Sequence, residues 1–217
     1  MDSPPLNSEL SPDELQAGDI LACYGGDWPS RLICAATATL FASRHLRWPP
    51  SHVAIVCPSE AELLWVESTT FCDRPCRAQG VPVSGVQAHR PADRLVDYLR
   101  EGGRVDVYRL ADIDRLSTTE TRLLRRILLQ HFIGRRIRYD VRGAALSGTR
   151  FLHWTRLFPG ADLERLFCSE LIAAVLMRLG RMNRANPSRF HPGRLLRELV
   201  KTGSYLRIGP LHPGDRS

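Results

Sequence analysis

The sequence lacks the features that mark exported, membrane-spanning and low-complexity proteins. Residues 1–10 are polar and contain two prolines, with neither a basic flank nor an apolar run, so we expect no leader peptide. The longest apolar stretch, residues 32–42, contains two threonines and is about half as long as a bilayer-spanning helix. No Pro/Gly/Ser-rich stretch divides the 217 residues, and no internal repeat is visible. The sequence therefore predicts one soluble, cytoplasmic domain at residues 11–210, with flexible tails at 1–10 and 211–217.

The ligand spacing of a structural metal site is also missing. The chain has six cysteines, and in a cytosolic protein of this size such a number does not imply a disulfide framework. Cys72 and Cys76 form a C-x3-C pair, but zinc needs two further ligands at usable spacing, and we identify none. The sequence therefore predicts no metal site.

A concentrated basic patch is absent as well. The formal net charge is +7, but the arginines are spread over nearly every segment. The densest group lacks the interleaved aromatic side chains on which single-stranded nucleic acids stack. That group consists of Arg135, Arg136, Arg138 and Arg142. We interpret the charge as a solvated arginine-rich surface and predict no specific nucleic-acid partner, while the oligomeric state stays open.

What is present is an ordinary globular composition, with 43% hydrophobic and 24% charged residues, in which strand and helix periods are mixed. Capping boxes predict helices beginning at Ser11 and Ser117, and Ser30 is predicted to cap another. The pattern predicts strands at 19–24, 52–57, 62–68, 105–110 and 205–208. It predicts helices at 31–43, 93–100, 117–134, 167–180 and 194–200, and loops at 69–91 and 143–161. Hairpin strands mixed with separate helices indicate an α+β domain.

The predicted hairpin carries a histidine and a carboxylate at matching positions. If residues 58–61 form a four-residue loop, Cys57 faces Glu62 and His52 pairs with Glu67. Directly opposed side chains share a sheet face with Cβ atoms about 5 Å apart, which lets a carboxylate hold one imidazole nitrogen. A slip of one residue would put the two on opposite faces. Three other histidines lie in polar segments where we expect exposure: His45, His89 and His212.

A cysteine is predicted at the first turn of the last strong helix. Cys168 precedes Leu171, Ile172 and Val175 by three, four and seven positions, so it lies on the apolar, inward-facing side of that helix. The amides and partial positive charge of a helix N-terminus favour thiolate over thiol. A thiol, a histidine and a carboxylate that holds the histidine are the groups that acyl transfer through a thioester requires.

Several short motifs occur in an order that resembles one family. They are Gly18-Asp19-Ile20-Leu21, Ser51-His52-Val53-Ala54-Ile55-Val56, Val66-Glu67-Ser68, Tyr139-Asp140 and Phe167-Cys168-Ser169-Glu170-Leu171, followed by Asn186-Pro187 and Phe190-His191-Pro192. Together they resemble the YiiX/YaeF-like, circularly permuted branch of the NlpC-type papain-fold hydrolases, over roughly residues 15–208.

The resemblance implies a circularly permuted papain-like fold, with an antiparallel sheet packed against helices and histidine before cysteine in the chain. It implies amide hydrolysis or a related acyl transfer, without metal or organic cofactor. Carried over residue by residue, it supports Cys168 as nucleophile, His52 as base and Glu67 as the group that orients the base. Supporting roles are predicted for Tyr24 as a donor to the reacting centre, Tyr139 as a brace and Trp154 as a pocket residue.

Three functions remain open at this stage. The first is an amidase or peptidase that cleaves a peptide, isopeptide or N-acyl amide. The second is a lipid-directed thiol acyltransferase or phospholipase, because proteins similar to lecithin:retinol acyltransferase share the permuted order. Their cysteine motif differs from Cys168-Ser169-Glu170-Leu171, so we rank this second. The third is a catalytically silent binding module, which the retention of thiol, imidazole and carboxylate disfavours.

Overall fold

A computed structural model describes residues 10–40, 42–69, 72–134 and 164–214. Two predicted support residues, Tyr139 and Trp154, lie outside the described residues. The same holds for the arginine group at 135–142, the predicted loop at 143–161 and most of both predicted tails.

One antiparallel sheet of six strands organises the described residues, in the order β4-β3-β2-β1-β5-β6. The strands are β1 (Ile20–Tyr24), β2 (His52–Pro58), β3 (Leu63–Thr69), β4 (Gly85–His89), β5 (Arg104–Leu110) and β6 (Tyr205–Pro210). The first strand is central, because it pairs with β2 on one side and with β5 on the other. All five strands predicted from the pattern are present, and β4 is an additional strand inside the predicted 69–91 loop.

Helices cover both faces of this sheet. They are α1 (Trp28–Ala36), α2 (Pro91–Arg100), α3 (Thr118–Arg125) with a π-helical continuation (Arg126–Ile133), α4 (Glu164–Arg178) and α5 (Pro192–Lys201). Short 3-10 turns occur at Pro12–Glu14, Arg44–Leu46, Asp112–Asp114 and Pro187–Arg189. Both predicted capping boxes form, at Ser117 before α3 and at Ser11, where the predicted helix is only the three-residue 3-10 turn Pro12–Glu14. The α+β class predicted from the sequence is therefore confirmed.

The predicted first long helix is placed too far along the chain. We expected Ser30 to cap a helix at 31–43, whereas α1 begins at Trp28 and ends at Ala36. The Asp27 carboxylate accepts a hydrogen bond from the Ser30 backbone amide at 3.3 Å, which is the geometry of an N-cap three residues earlier. The aspartate therefore starts the helix, and the serine lies inside it.

Two apolar clusters hold the layers together. The larger one lies between one sheet face and the helices α3, α4 and α5, with Ile55, Tyr108 and Leu171 among its fully buried members. The smaller one lies on the opposite face beneath α2 and includes Trp65 and Leu95, both 0% exposed. Because both sheet faces are covered, strands such as β1 and β2 read as nearly continuous apolar runs.

The ends of the described chain pair with each other. Leu10 and Leu211 form a parallel bridge, and both side chains are buried in the smaller cluster. Each was assigned to a flexible tail in the sequence analysis, so the ordered part of the domain extends at least to these two residues.

None of the helices among the described residues is both long enough and apolar enough to cross a membrane.

Candidate active site

His52 is held at the end of the sheet by its neighbours in sequence. It is the first residue of β2, pairs with Cys23 on β1 and is 4% exposed. The Ser51 hydroxyl donates to the Cys23 carbonyl oxygen at 3.3 Å and accepts from the Gly25 amide at 3.3 Å. These bonds fasten the chain just before His52 to the end of β1. Because His52 is the first residue of its strand, the sheet does not extend beyond it there. Side chains from either face of the sheet can therefore reach the imidazole.

The register of the hairpin differs from the prediction by two residues. Ser59 closes the turn by bonding to the Glu62 carbonyl through both its amide and its hydroxyl, so Pro58 pairs with Leu63 and Cys57 pairs with Leu64 rather than with Glu62. The predicted direct pairing of the histidine with the glutamate is therefore wrong. A shift of two residues keeps every side chain on its predicted face, whereas a shift of one would not.

The predicted contact between histidine and carboxylate nevertheless forms. His52 Nε2 lies 2.8 Å from Glu67 Oε2, and Glu67 is fully buried. The glutamate side chain reaches along the strand to a diagonal neighbour, which is within range for a long side chain on a shared face. With Nε2 occupied by the carboxylate, Nδ1 is the imidazole nitrogen that remains for a second partner.

Cys168 supplies that second partner. It lies on α4, which packs against β2 and β3, and it is 1% exposed within the larger apolar cluster. Its side chain forms a hydrogen bond with His52 and also interacts with it electrostatically. The structure thus brings Cys168, His52 and Glu67 together in one buried chain of contacts. Cys168 lies more than one hundred residues after both His52 and Glu67, so its approach to that pair depends on tertiary packing.

The position of the cysteine in its helix requires a correction. We expected Cys168 in the first turn, where amides without helical partners would favour thiolate. The structure has α4 over Glu164–Arg178, which places a full helical turn before the cysteine. In a regular α-helix the amide of the fifth residue bonds to the carbonyl of the first, so it is not available to a ligand. Stabilisation of a thiolate at this position must therefore come chiefly from His52.

Arg94 is the member of the site that sequence reasoning missed. Its Nε donates to Glu67 Oε1 at 2.6 Å, so His52 and the guanidinium each hold one oxygen of the carboxylate. Arg94 is 9% exposed and lies on α2 in register with Pro91, Leu95 and Tyr98. An arginine within an otherwise apolar helical stripe was the available signal, because a buried charge requires a partner.

Opposing effects set the protonation of the three ionisable side chains. Burial by itself would lower the pKa of His52, but the charge and hydrogen bond of Cys168, together with those of Glu67, raise that pKa to about 9. Burial would raise the pKa of Glu67, and the charges of Arg94 and His52 with their hydrogen bonds reverse this and hold the pKa well below its usual range. At neutral pH the arrangement thus favours an ionised carboxylate beside a protonated imidazole.

A second layer of charge holds Arg94 in place. Its guanidinium lies 4.7 Å above the centre of the Tyr98 ring and 3.6 Å from the Asp97 carboxylate. Arg74 binds that same carboxylate with two hydrogen bonds, at 2.5 and 2.8 Å. The Tyr98 ring in turn stacks on Trp65 at 5.7 Å. Arg94, which orients Glu67, is therefore itself held by several contacts on α2 and by Arg74.

The predicted donor Tyr24 lies on β1 in the larger cluster. Burial and the negative charge of Asp106 raise its pKa to about 12, so its hydroxyl stays protonated at neutral pH. The Arg104 guanidinium lies 4.2 Å from the centre of the Tyr24 ring. A protonated phenol can donate a hydrogen bond, although the raised pKa makes it a poor acid; its contact with the reacting centre stays a prediction.

The closing motif of the family resemblance has structural roles in the described residues. His191 Nδ1 accepts a hydrogen bond from the Arg194 amide at 3.3 Å and so caps α5. Burial and the charges of Arg197 and Arg194 lower the pKa of His191 to about 4, which keeps this nitrogen able to accept. The Ser169 hydroxyl donates to the Phe190 carbonyl at 2.5 Å and ties α4 to the start of α5.

Metal-ligand chemistry is concentrated at a different trio. The donor atoms of Glu67, Cys72 and His89 lie within 4.8 Å of one another, and all three residues are buried. His89, which we expected to be exposed, is 2% exposed because β4 carries it into the sheet. Both oxygens of Glu67 already contact cationic partners, His52 and Arg94, so a metal ion here would face strong repulsion. We interpret the trio as part of the polar network.

No known protein-family model matches the chain, and no curated protein matches its sequence significantly.

Proposed function

We propose that this protein is a cysteine-nucleophile hydrolase that cleaves an amide bond through a thioester. The observation that carries the proposal is the contact chain from Cys168 through His52 to Glu67, in which the imidazole bonds to the thiol side chain and lies 2.8 Å from the carboxylate. Cysteine is the nucleophile, histidine is the base, and glutamate with Arg94 orients the histidine. The resemblance to YiiX/YaeF-like permuted papain-fold hydrolases agrees with these roles.

The reaction proceeds in two halves. His52 holds the proton of Cys168, and the thiolate attacks the carbonyl carbon of the amide to give a tetrahedral intermediate. The C–N bond then breaks, and the imidazolium returns the proton to the departing nitrogen, which leaves an acyl thioester on the cysteine. In the second half His52 takes a proton from water, the hydroxide displaces the thiolate from the acyl carbon, and the carboxylic acid is released.

The proton affinity of His52 supports the first step. A pKa near 9 for the imidazole means that the proton resides on nitrogen at neutral pH when the thiolate lies beside it. The cysteine therefore does not depend on a helix terminus for its activation. Glu67 remains ionised throughout, because Arg94 and His52 both stabilise its negative charge.

The first test is the pH dependence of thiol alkylation by iodoacetamide, with the modified sites mapped by mass spectrometry. In the wild type we expect Cys168 to be labelled at about pH 6, well below the range of an ordinary cysteine thiol. Cys168→Ala should remove this labelling, and Cys72→Ala is the matched control that should preserve it. Labelling of Cys168 that rises only above about pH 8, in folded protein, would contradict the proposal.

The second test addresses catalysis directly. Incubation with a panel of N-acyl amides and peptides should produce an acyl adduct on Cys168 that hydroxylamine removes, as expected of a thioester. The Cys168→Ser variant should form no hydroxylamine-sensitive thioester at this position. A reactive Cys168 that accepts no acyl group from any amide would favour a binding module on this fold.

A further inference from the structure

A surface near the candidate site combines exposed apolar and basic side chains. Trp28, Leu40 and Trp48 are 71%, 82% and 61% exposed. The two tryptophans are the exposed large aromatic residues among the described residues, since Trp65 is fully buried. Exposed tryptophan is unusual in a folded domain and marks places where a protein binds something else.

Three arginines accompany these side chains, and the acidic residue that adjoins them, Asp27, uses its carboxylate to accept the Ser30 amide at the start of α1. Arg31, Arg44 and Arg47 are all exposed. Among the described residues, the arginines that form ion pairs lie elsewhere in the chain. Neither aspartate nor glutamate occurs between positions 28 and 59. We refer to Trp28, Arg31, Leu40, Arg44, Arg47 and Trp48 as the 28–48 surface.

The local geometry brings the parts of the 28–48 surface near one another. The Thr39 amide bonds to the Arg47 carbonyl at 3.1 Å, which places Leu40 and Trp48 on either side of that bond. The Gly25 amide bonds to the Ser51 hydroxyl, and Trp28 and Trp48 each lie three residues from this contact. Three residues span at most about 11 Å, so both tryptophans are close to one point.

The 28–48 surface lies beside the candidate site in the chain, and buried contacts on its inner side fix its position. Ser51 directly precedes His52, so the 28–48 surface ends four residues before the proposed base. Leu46, 1% exposed, anchors the 3-10 turn in the larger cluster and leaves Arg44 and Arg47 outside. Helix α5 packs against this turn, and Arg197 bonds to the Thr37 carbonyl at 3.5 Å.

We infer that the 28–48 surface docks the protein on the surface of an anionic lipid bilayer. Indole rings reside at the boundary between headgroups and acyl chains, an aliphatic side chain such as Leu40 inserts below it, and arginines attract anionic headgroups. A nucleic acid would offer no apolar environment for Leu40, so charge and apolar exposure together favour lipid. This inference is independent of the proposed chemistry, because binding requires neither Cys168 nor His52.

The docking would place the end of β2 that carries His52 close to the headgroup layer. An acyl amide or ester anchored in the bilayer would then reach the reacting centre without leaving the membrane completely. Membrane binding thus points to a lipid-anchored acyl compound as the class of substrate to test, and this further step does rest on the proposed function.

The experiment is vesicle binding measured by flotation and by tryptophan fluorescence. The protein carries Trp154→Phe, so that Trp28, Trp48 and the buried Trp65 are the remaining fluorophores. Vesicles of phosphatidylcholine alone are compared with vesicles that also contain phosphatidylglycerol, and lipids brominated on the acyl chain act as quenchers. We expect flotation with the anionic vesicles, together with quenching and a blue shift of the emission.

Paired variants separate the two contributions. Trp28→Ala/Trp48→Ala should reduce binding at least tenfold, and Arg44→Gln/Arg47→Gln should reduce binding to anionic vesicles about 30-fold, given the usual contribution of each basic residue. Matched controls on other surfaces are Ile113→Ala, at 93% exposure, and Arg100→Gln/Arg122→Gln, whose two arginines are exposed. The controls should bind as the wild type does.

Several results would overturn the inference. One is the absence of binding to both kinds of vesicle by folded protein, as judged by circular dichroism. Another is equal loss of binding in the control variants, which would indicate non-specific attraction from the net charge. A third is concentration-dependent dimerisation in analytical ultracentrifugation that Trp28→Ala/Trp48→Ala abolishes while vesicle binding stays absent, since the surface would then join two copies.

Discussion

Two buried imidazoles in one sheet each lie beside a thiol, yet they differ in proton affinity. His52 contacts Cys168 and the Glu67 carboxylate, and its pKa is raised to about 9. His89 lies 3.5 Å from the Cys72 sulfur and 2.8 Å from the neutral Gln87 amide oxygen, and burial lowers its pKa. The difference lies in the charges around each ring. Cys168 and then Glu67 favour the cationic form of His52, whereas burial together with the charges of Arg94 and Arg74 outweighs Glu67 at His89.

The largest expected effect comes from removing each imidazole in turn and measuring the reactivity of the neighbouring thiol. With His52→Ala, we expect labelling of Cys168 at about pH 6 to fall about 300-fold, because a thiol with an ordinary pKa of about 8.5 is almost wholly protonated there. His89→Ala should change labelling of Cys72 less than about threefold, since burial lowers the pKa of His89 and so disfavours the cation that would stabilise a thiolate. Iodoacetamide rates mapped by site give both numbers, and equal effects at the two cysteines would show that the pairs are equivalent.

The two histidines should also contribute to stability with opposite dependence on pH. The folded pKa of His52 lies above its unfolded value of 6.5, so its contribution is complete below about pH 6.5 and is lost as the pH rises through about 9. We expect the free energy of unfolding of wild type minus His52→Asn to shrink by up to about 3 kcal/mol over that interval. Urea denaturation at a series of pH values measures it.

His89 supplies the internal contrast for that series. Its folded pKa is lowered, so its contribution is present above the ordinary histidine value and is lost as the pH falls toward acid. The wild type minus His89→Asn difference should therefore shrink in the acid direction. Parallel slopes for the two variants would contradict the assignment of a cationic His52 and a neutral His89.

The smallest expected effect on thiol labelling comes from replacing the carboxylate partner of His52 by a neutral amide, which is the kind of partner that His89 has in Gln87. Glu67→Gln replaces the carboxylate by an amide, so the imidazole loses its ionic partner and the low-pH labelling of Cys168 should fall about tenfold or more. The change also leaves Arg94 buried without its carboxylate, which destabilises the fold. The double variant Glu67→Gln/Arg94→Met should recover stability but not labelling, and recovery of both would reduce Glu67 to a structural role.

The parts of this fold that depend on local pattern could be predicted from the sequence. The capping boxes at Ser11 and Ser117, the β2–β3 hairpin and the inward direction of Cys168 follow from spacing alone. The exact register did not follow, because it depends on the bonds that Ser59 makes in the turn. The contact between His52 and Glu67 survived only because the error was an even number of residues.

What sequence reasoning missed depends on contacts between distant segments. Strand β4 is short and lies at the edge of the sheet, and it brings His89 into the interior by pairing with β3. Arg94 becomes part of the site only when α2 packs over the sheet beside Glu67. A single sequence carries no pairing information for either, although an arginine within an apolar helical stripe is a usable warning.

The order of the site residues along the chain determines the order in which they are synthesised. His52, Glu67 and Arg94 all lie within residues 52–94, whereas Cys168 follows on α4. Because a chain emerges from the ribosome from its N-terminus, the histidine, its carboxylate and the arginine are synthesised before the thiol exists. The proposed nucleophile can thus contact its proposed base only after α4 has been synthesised and has packed against the sheet. Under the proposed function, a reactive Cys168 would therefore indicate that the C-terminal half of the chain has been made and has packed.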